Sequence, residues 1–291
     1  MRAAMPSGST FRGEPRVADL GAVGGEGPGP AAGGRREPDL VARDEREKVA
    51  VNVRVAQVTG RRHLVIVGSQ GTVHTVEIMT SAGPAHVVMA KRARRPAFLA
   101  VLTHGAGGTP DTPDVLAVRD TVLAMGAVTA LVTQPYRVRG ARAPGSAARQ
   151  DAAWTEIVAT LNEAGLPLVQ GGRSNGARVV CRTARETNAK AVIALAFPLH
   201  PPGQPDKSRD AELRSAGTSV LVLNGDRDPF GIPEPDDATR VVVLPGETHA
   251  LSKNPSAISG EIAGWLGTIP GLTAAKRGRS PGKRAGQAAG A

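Results

Sequence analysis

From Phe98 onward the chain alternates short apolar runs with longer amphipathic ones, and this alternation constrains its fold more than any other feature. The apolar runs are Phe98–Thr103, Val128–Thr133, Leu168–Gln170, Val192–Ala196, Val220–Leu223 and Val241–Leu244. Each has strand length and is apolar enough to be buried on both faces. The stretches between them carry helical spacing. Thr112 caps and Pro113 begins a segment with Val115, Val118, Val122 and Met125 on one stripe, closed by Gly126. Asn254-Pro255 opens the last such segment, with Ile258, Ile262, Trp265 and Leu266 inward. Strands joined by helical crossovers run parallel, so the expected fold class is α/β, a predominantly parallel sheet with helices on both faces. Ahead of it, Val73–Ile78 and His86–Ala90 flank Gly83-Pro84 and read as an N-terminal antiparallel hairpin.

The ends of the chain read differently. Met1 to Lys48 is Gly, Pro, Ala and charge without sustained periodicity, too poor in apolar surface to offset its ordering entropy. Val49 to Val67 alternates at Val49, Val51, Val53 and Val55 as a strand would, with no evident partner, and its status stays open. The expected organisation is a mostly disordered extension over 1–71, an α/β domain over 72–270 and a basic flexible tail over 271–291.

Net charge is +10, a balance that in general points to anionic partners. Lys276, Arg277, Arg279, Lys283 and Arg284 in the acid-free tail supply half of that excess. Four Phe, two Trp and one Tyr, placed mostly in apolar runs, make no platform on which bases could stack, so nucleic-acid binding is not expected. Cys181 is the only cysteine, which excludes an internal disulfide and a multi-cysteine zinc site. It shares a helical face with Ala177, Val180 and Ala184, the setting of a small buried hydrophobe. No run reaches the length of about 18 apolar residues that a spanning helix needs, and the N-terminus lacks the apolar core of a signal peptide. The expectation is a cytoplasmic protein without a membrane partner.

The chemistry centres on Leu168-Val169-Gln170-Gly171-Gly172-Arg173-Ser174-Asn175-Gly176. The letters Gly-x-Ser-x-Gly recur by chance in a Gly-rich chain; their place between an apolar strand and a helix gives them meaning. A serine on such a turn projects Oγ from the sheet, while flanking glycines let neighbouring backbone approach. A nucleophilic serine needs a general base, and the base needs an orienting carboxylate. Strand Val220–Leu223 runs into Asn224-Gly225-Asp226-Arg227-Asp228, and strand Val241–Leu244 runs into Pro245-Gly246-Glu247-Thr248-His249. Both groups follow the carboxyl ends of parallel strands, where sites assemble in open α/β sheets. His249 is preferred on that ground to His200, in His200-Pro201-Pro202; Asp228 is preferred to Asp226, which follows the same strand. Acyl transfer also needs donors for a developing oxyanion. His104-Gly105-Ala106-Gly107-Gly108 offers the N–H of Ala106 beside that of Asn175; a phosphate loop is disfavoured because no Lys-Ser/Thr follows.

These motifs, with Gly225-Asp226-Arg227-Asp228-Pro229-Phe230-Gly231, Gln134-Pro135-Tyr136-Arg137-Val138 and Ala196-Phe197-Pro198-Leu199-His200-Pro201-Pro202-Gly203, resemble the α/β-hydrolase superfamily. More narrowly they look like its small dienelactone-hydrolase-like, KANL3/Tex30-type branch, including bacterial members. The resemblance covers about 72–269. It implies a serine hydrolase with nucleophile Ser174, acid Asp228, base His249 and oxyanion donors at Ala106 and Asn175, with no cofactor and no metal. Ser174 stands where dienelactone hydrolase has Cys, and the branch includes subunits of chromatin complexes.

The stretch 197–219 between two strands is too short for the helical cap that many lipases and epoxide hydrolases carry, so an open site is expected. Small soluble esters, thioesters or lactones are then the expected substrates. Arg137 and Arg173 are candidates to attract a substrate carboxylate, their bland alternative being structural ion pairs. The second functional reading is a non-catalytic scaffold that keeps the fold for protein association.

Overall fold

A computed structural model describes the backbone of residues 52–58, 61–68 and 71–272 and the side chains of 73–272. The expectations for residues 1–51 and for the tail beyond residue 272 lie outside the described residues. Ten strands form one sheet: β1 (Asn52–Val58), β2 (Arg61–Gly68), β3 (Gly71–Thr80), β4 (Gly83–Lys91), β5 (Leu99–Thr103), β6 (Val128–Thr133), β7 (Leu168–Arg173), β8 (Ala191–Leu195), β9 (Ser219–Gly225) and β10 (Thr239–Leu244). Their order is β1-β2-β3-β4-β6-β5-β7-β8-β9-β10. β5 to β10 pair in parallel, and β4 joins them antiparallel through β6.

The N-terminal hairpin is present with β3 and β4, and its loop is Ser81-Ala82, one step ahead of the expected Gly-Pro turn. Gly83 pairs with Thr80 and carries φ 104°, which explains why a glycine is needed there. The segment left open by the sequence supplies β1 and β2, which pair antiparallel with each other and, through β2, with β3. Among the described residues the first strand of the sheet is thus Asn52–Val58, which lies within the stretch 1–71.

Helices are α1 (Pro113–Ala124), α2 (Pro135–Val138), α3 (Ala147–Leu161), α4 (Asn175–Thr183), α5 (Asp210–Arg214) and α6 (Pro255–Leu266). Alternate residues of each central strand feed two cores. Leu99, Val101, Val220 and Val222 pack with Trp154 and Ile157 of α3, Val180 of α4 and Leu213 of α5. Ala100, Leu102, Leu221 and Leu223 pack with Val115 and Val118 of α1 and Ile258 and Trp265 of α6. Burial on both faces is what makes these strands read as unbroken apolar runs. Cys181 lies in the first core, fully buried, and burial pushes its thiol up to about 12. Between β8 and β9 the only helix is α5, so no cap covers the sheet's carboxyl edge among the described residues.

The chain passes from β5 outward to β6 and then back across β5 to β7. This reversal leaves the loops after β5 and β7 facing each other at the sheet's carboxyl edge, where open α/β sheets bind ligands. On the α3–α4–α5 face, Glu212 takes Arg178 through two contacts of 2.7 and 2.6 Å and Arg182 through one of 2.9 Å, while Arg182 forks onto Asp151 at 2.8 and 2.7 Å. Burial alone would raise the Glu212 carboxyl, and the bonds and charges of the two arginines outweigh it, leaving it below its usual 4.5. A depressed folded-state pKa contributes stability that is complete above the unfolded value and lost as pH falls through the folded one. Glu212→Gln is therefore expected to lower the melting temperature at pH 7 and to flatten its decline below about pH 4.5, measured by thermal denaturation across pH 3–7.

Candidate active site

Ser174 lies between β7 and α4 with φ 52° and ψ −115°, a conformation that costs a non-glycine residue about 1–3 kcal/mol. Close packing holds it there. Its N–H donates to Leu195 O of β8 at 2.8 Å. A Cβ on Gly172 would strike the main chain of Gly176 and Ala177, and one on Gly176 would come within 2.5 Å of His104 O. The two glycines of Gly-x-Ser-x-Gly are thus places where backbone meets backbone, at the elbow and against the loop after β5.

His249 Nε2 is 2.8 Å from Ser174 Oγ, and its Nδ1 is 2.9 and 3.1 Å from the two Asp228 oxygens. The carboxylate fixes the proton on Nδ1, which leaves Nε2 to accept from the serine hydroxyl. The Asp228 side chain is fully buried. Its Oδ1 accepts the Phe230 N–H at 2.9 Å and its Oδ2 accepts Asn224 Nδ2 at 3.3 Å. Asn224 itself is anchored at both ends, to Phe197 N–H at 2.9 Å and to Gly231 O at 3.1 Å. The loops after β9 and β10 come together at Gly225, where a Cβ would meet the Glu247 carbonyl and Thr248 N. The Phe230 ring lies 4.3 Å from the His249 ring, centroid to centroid. Neither rival takes part: Asp226 is exposed, and His200 Nδ1 is hydrogen-bonded to Pro201 O.

The Gly-rich loop lies against the elbow, since a Cβ on Gly105 would stand 3.1 Å from Ser174 Cβ. Its carbonyls are tied back. Gly105 O accepts from His104 Nδ1 at 2.8 Å and from the Tyr136 hydroxyl at 3.4 Å, and Gly108 O accepts from Arg137 Nε at 3.0 Å. In a trans peptide the N–H points opposite to the carbonyl, so fixing Gly105 O turns the Ala106 N–H away from His104. His104 Nε2 accepts the Gln134 N–H at 3.0 Å, which fixes a neutral ring; burial holds its pKa below 6.5 and pushes the Tyr136 phenol up to about 12. Asn175 is the first residue of α4, so its N–H has no intrahelical acceptor. Its side chain is held by Gln150 at 2.7 Å.

The two arginines expected at a substrate are engaged internally. Arg173 Nε pairs with the buried Asp114 carboxylate at 3.0 Å, and Nη2 donates to His249 O at 3.0 Å. Of the two roles the sequence left open for Arg173, these contacts are those of a structural ion pair, with the side chain turned between α1 and the His249 loop. Arg137, half-buried, holds Gly108 O and, through Nη1, Ala141 O at 3.1 Å. Asp114, Asn224, Gln150, His104 and Tyr136 were not singled out from sequence as supports of this site. Asp114 reads there as an ordinary first-turn acid favoured by the helix dipole, and the others carry no spacing signal. Among the described residues no group of three or more His, Cys, Asp or Glu is placed to hold a metal ion, and no helix is long and apolar enough to cross a membrane.

A mainly parallel sheet flanked by helices, without a cap and with Ser174, Asp228 and His249 at its carboxyl edge, has the architecture of the α/β hydrolases. A family model described as an alpha/beta hydrolase domain matches residues 96–248, more than half of the 291 residues, and the chain belongs to this family. That match holds Ser174 and Asp228 and stops one residue before His249. No curated protein matches the chain. Solved structures share the fold at low identity. Dienelactone hydrolase from Anabaena variabilis is 16% identical with a TM-score of 0.56, over 69% of this chain and 99% of that one. A serine hydrolase without a lid from Xanthomonas campestris is 15% identical with a TM-score of 0.54, over 70% and 97%. A serine hydrolase homologue from Coxiella burnetii is 15% identical with a TM-score of 0.53, over 66% and 96%.

The glycine contacts make a direct prediction. Gly172→Ala puts a methyl group into main chain that cannot yield, and its cost is expected at about 3 kcal/mol, the upper end for overpacking. Chemical denaturation should show that loss, whereas Gly264→Ala, where a Cβ has open space, should be neutral or stabilising.

Proposed function

We propose that the protein is a serine hydrolase acting on small soluble esters, thioesters or lactones through an acyl-enzyme intermediate. The observation that carries this reading is the continuous hydrogen-bonded chain from Ser174 Oγ through the His249 ring to the buried Asp228 carboxylate. His249 Nε2 takes the hydroxyl proton as Oγ bonds to the substrate carbonyl carbon, and Asp228 stabilises the imidazolium that forms. The carbonyl oxygen gains the negative charge, and the N–H groups of Ala106 and Asn175 receive it. Collapse expels the alcohol or thiol, which takes its proton from His249. Water then repeats the sequence, releasing the acid and returning Ser174 to its starting state. Two further supports are the lidless edge, which suits small soluble substrates, and the resemblance of the motifs to those of dienelactone-hydrolase-like, KANL3/Tex30-type proteins.

Hydrolysis of a short-chain p-nitrophenyl ester panel is the deciding measurement. Wild type is expected to turn over and to be labelled by a serine-reactive phosphonate; Ser174→Ala and His249→Ala are expected to fall by a factor of about 10⁴ or more. Equal background rates in wild type and Ser174→Ala would overturn the reading in favour of the non-catalytic scaffold.

Arg137 stands beside the Gly-rich loop, and its charge favours substrates bearing a carboxylate near the scissile bond. Arg137→Ala is expected to raise KM for an anionic ester by about tenfold relative to its neutral analogue. Unchanged relative KM values would remove this preference.

A further inference from the structure

The Asp114–Arg173 pair is costly and unexplained by packing alone. Asp114 is in the first turn of α1 with its side chain fully buried, and the Arg173 side chain is 19% exposed. Their 3.0 Å contact is an ion pair that lacks hydrogen-bond alignment at Arg173 Nε. Burial raises the Asp114 carboxyl, opposed by a hydrogen bond from Thr112, by the Arg173 charge and by the Val115 and Asp114 backbone N–H groups. Such a pair adds little net stability, because desolvation consumes most of the attraction. What it does achieve is geometric. A guanidinium is a rigid fork; here Nε faces α1, Nη2 holds the His249 carbonyl at 3.0 Å, and Nη1 would stand 3.2 Å from a Cβ on Gly105. One side chain, adjacent in sequence to Ser174, spans α1, the Gly-rich loop and the loop that carries His249.

We propose that Asp114 and Arg173 form an internal strut that sets the main-chain position of His249, and with it the reach of the imidazole to Ser174. They are positioning residues, and the inference rests on the proposed function only in so far as it assigns turnover to that contact. The loop after β10 is anchored on either side of His249 as well as at the His249 carbonyl. Its other anchors are the Glu247 carboxylate, which accepts the Lys253 and Asn254 N–H groups at 2.8 and 2.7 Å, and the Glu247 carbonyl, which accepts Arg227 N–H at 3.0 Å. Two residues past His249, Leu251 is buried in the core and its N–H donates to Thr248 O at 3.2 Å. Arg173 is the side chain that grips His249 by its own backbone.

The test uses the double variant Asp114→Leu/Arg173→Met, which removes both charges together and leaves no uncompensated ion in the interior. Its melting temperature is expected within about 4 °C of wild type. The first readout is the low-field NMR resonance of the His249 Nδ1 proton, assigned by its loss in Asp228→Asn, and it needs no turnover. The strut predicts that this resonance broadens or disappears in the double variant; a sharp, unshifted resonance in a folded double variant overturns the proposal. The second readout is kinetic, with kcat down about 100-fold and KM unchanged; wild-type kcat overturns it. Arg173→Lys covers a double variant that fails to fold. Its ammonium keeps the charge beside Asp114 and cannot also grip the carbonyl, so the strut predicts the same loss, while restoration by lysine overturns it. If wild type itself neither turns over nor labels, the hydrolase reading fails, and the NMR readout still decides the strut.

Discussion

The site exists because main chain meets main chain with nothing larger than a hydrogen atom between. Gly172 lets the end of β7 touch the first turn of α4, Gly176 lets that turn touch the loop after β5, and Gly225 lets the loops after β9 and β10 touch each other. Remove any of these approaches and the groups they carry separate by at least the thickness of a methyl group. That is enough to take His249 out of hydrogen-bonding range of Ser174 or of Asp228. The strained torsion at Ser174 is the cost of the same geometry, and the surrounding contacts hold it in place.

Electrostatics acts within that frame on orientation. Each polar atom that could react is fixed by a second group whose other bonds are already committed. Asn224 fixes Asp228 while bonding the segments around Phe197 and Gly231; Gln150 fixes Asn175; His104 and Tyr136 fix the Gly105 carbonyl. These supports are buried, so their hydrogen bonds are shielded from competing solvent. For the proposed acyl transfer, such fixed groups would be preorganised for charge developing on a carbonyl oxygen.

Much of the architecture was legible in the sequence because β5 to β10 are buried on both faces and the crossovers have helical period. Helix limits at Thr112-Pro113 and Asn254-Pro255 were readable from capping chemistry; Asn254 does accept the Ala257 N–H, while Thr112 makes no side-chain cap bond. β1 and β2 were not legible as a pair. Val51, Val53 and Val55 announce a strand, but its partner opens on Arg61-Arg62-His63, and pairing between polar-edged strands leaves no periodic mark. At the site, Ser174, Asp228 and His249 were readable because each follows a strand end. Arg173 was readable only as a choice between a substrate contact and a structural ion pair, since nothing in the linear sequence says that Asp114 of α1 lies beside it. Supports such as Asn224 and Gln150 are common residues whose significance is purely spatial.

The single cysteine has a practical consequence. Cys181 is sealed in the core with its thiol pushed up to about 12, so it is almost entirely unionised at neutral pH and out of reach of solvent. Any cysteine introduced at an exposed position, such as Arg142 beside the Gly-rich loop, would be the sole reactive thiol in the chain. A fluorophore or spin label placed there needs no background removed first, and its signal would report changes in its own surroundings beside the lidless edge.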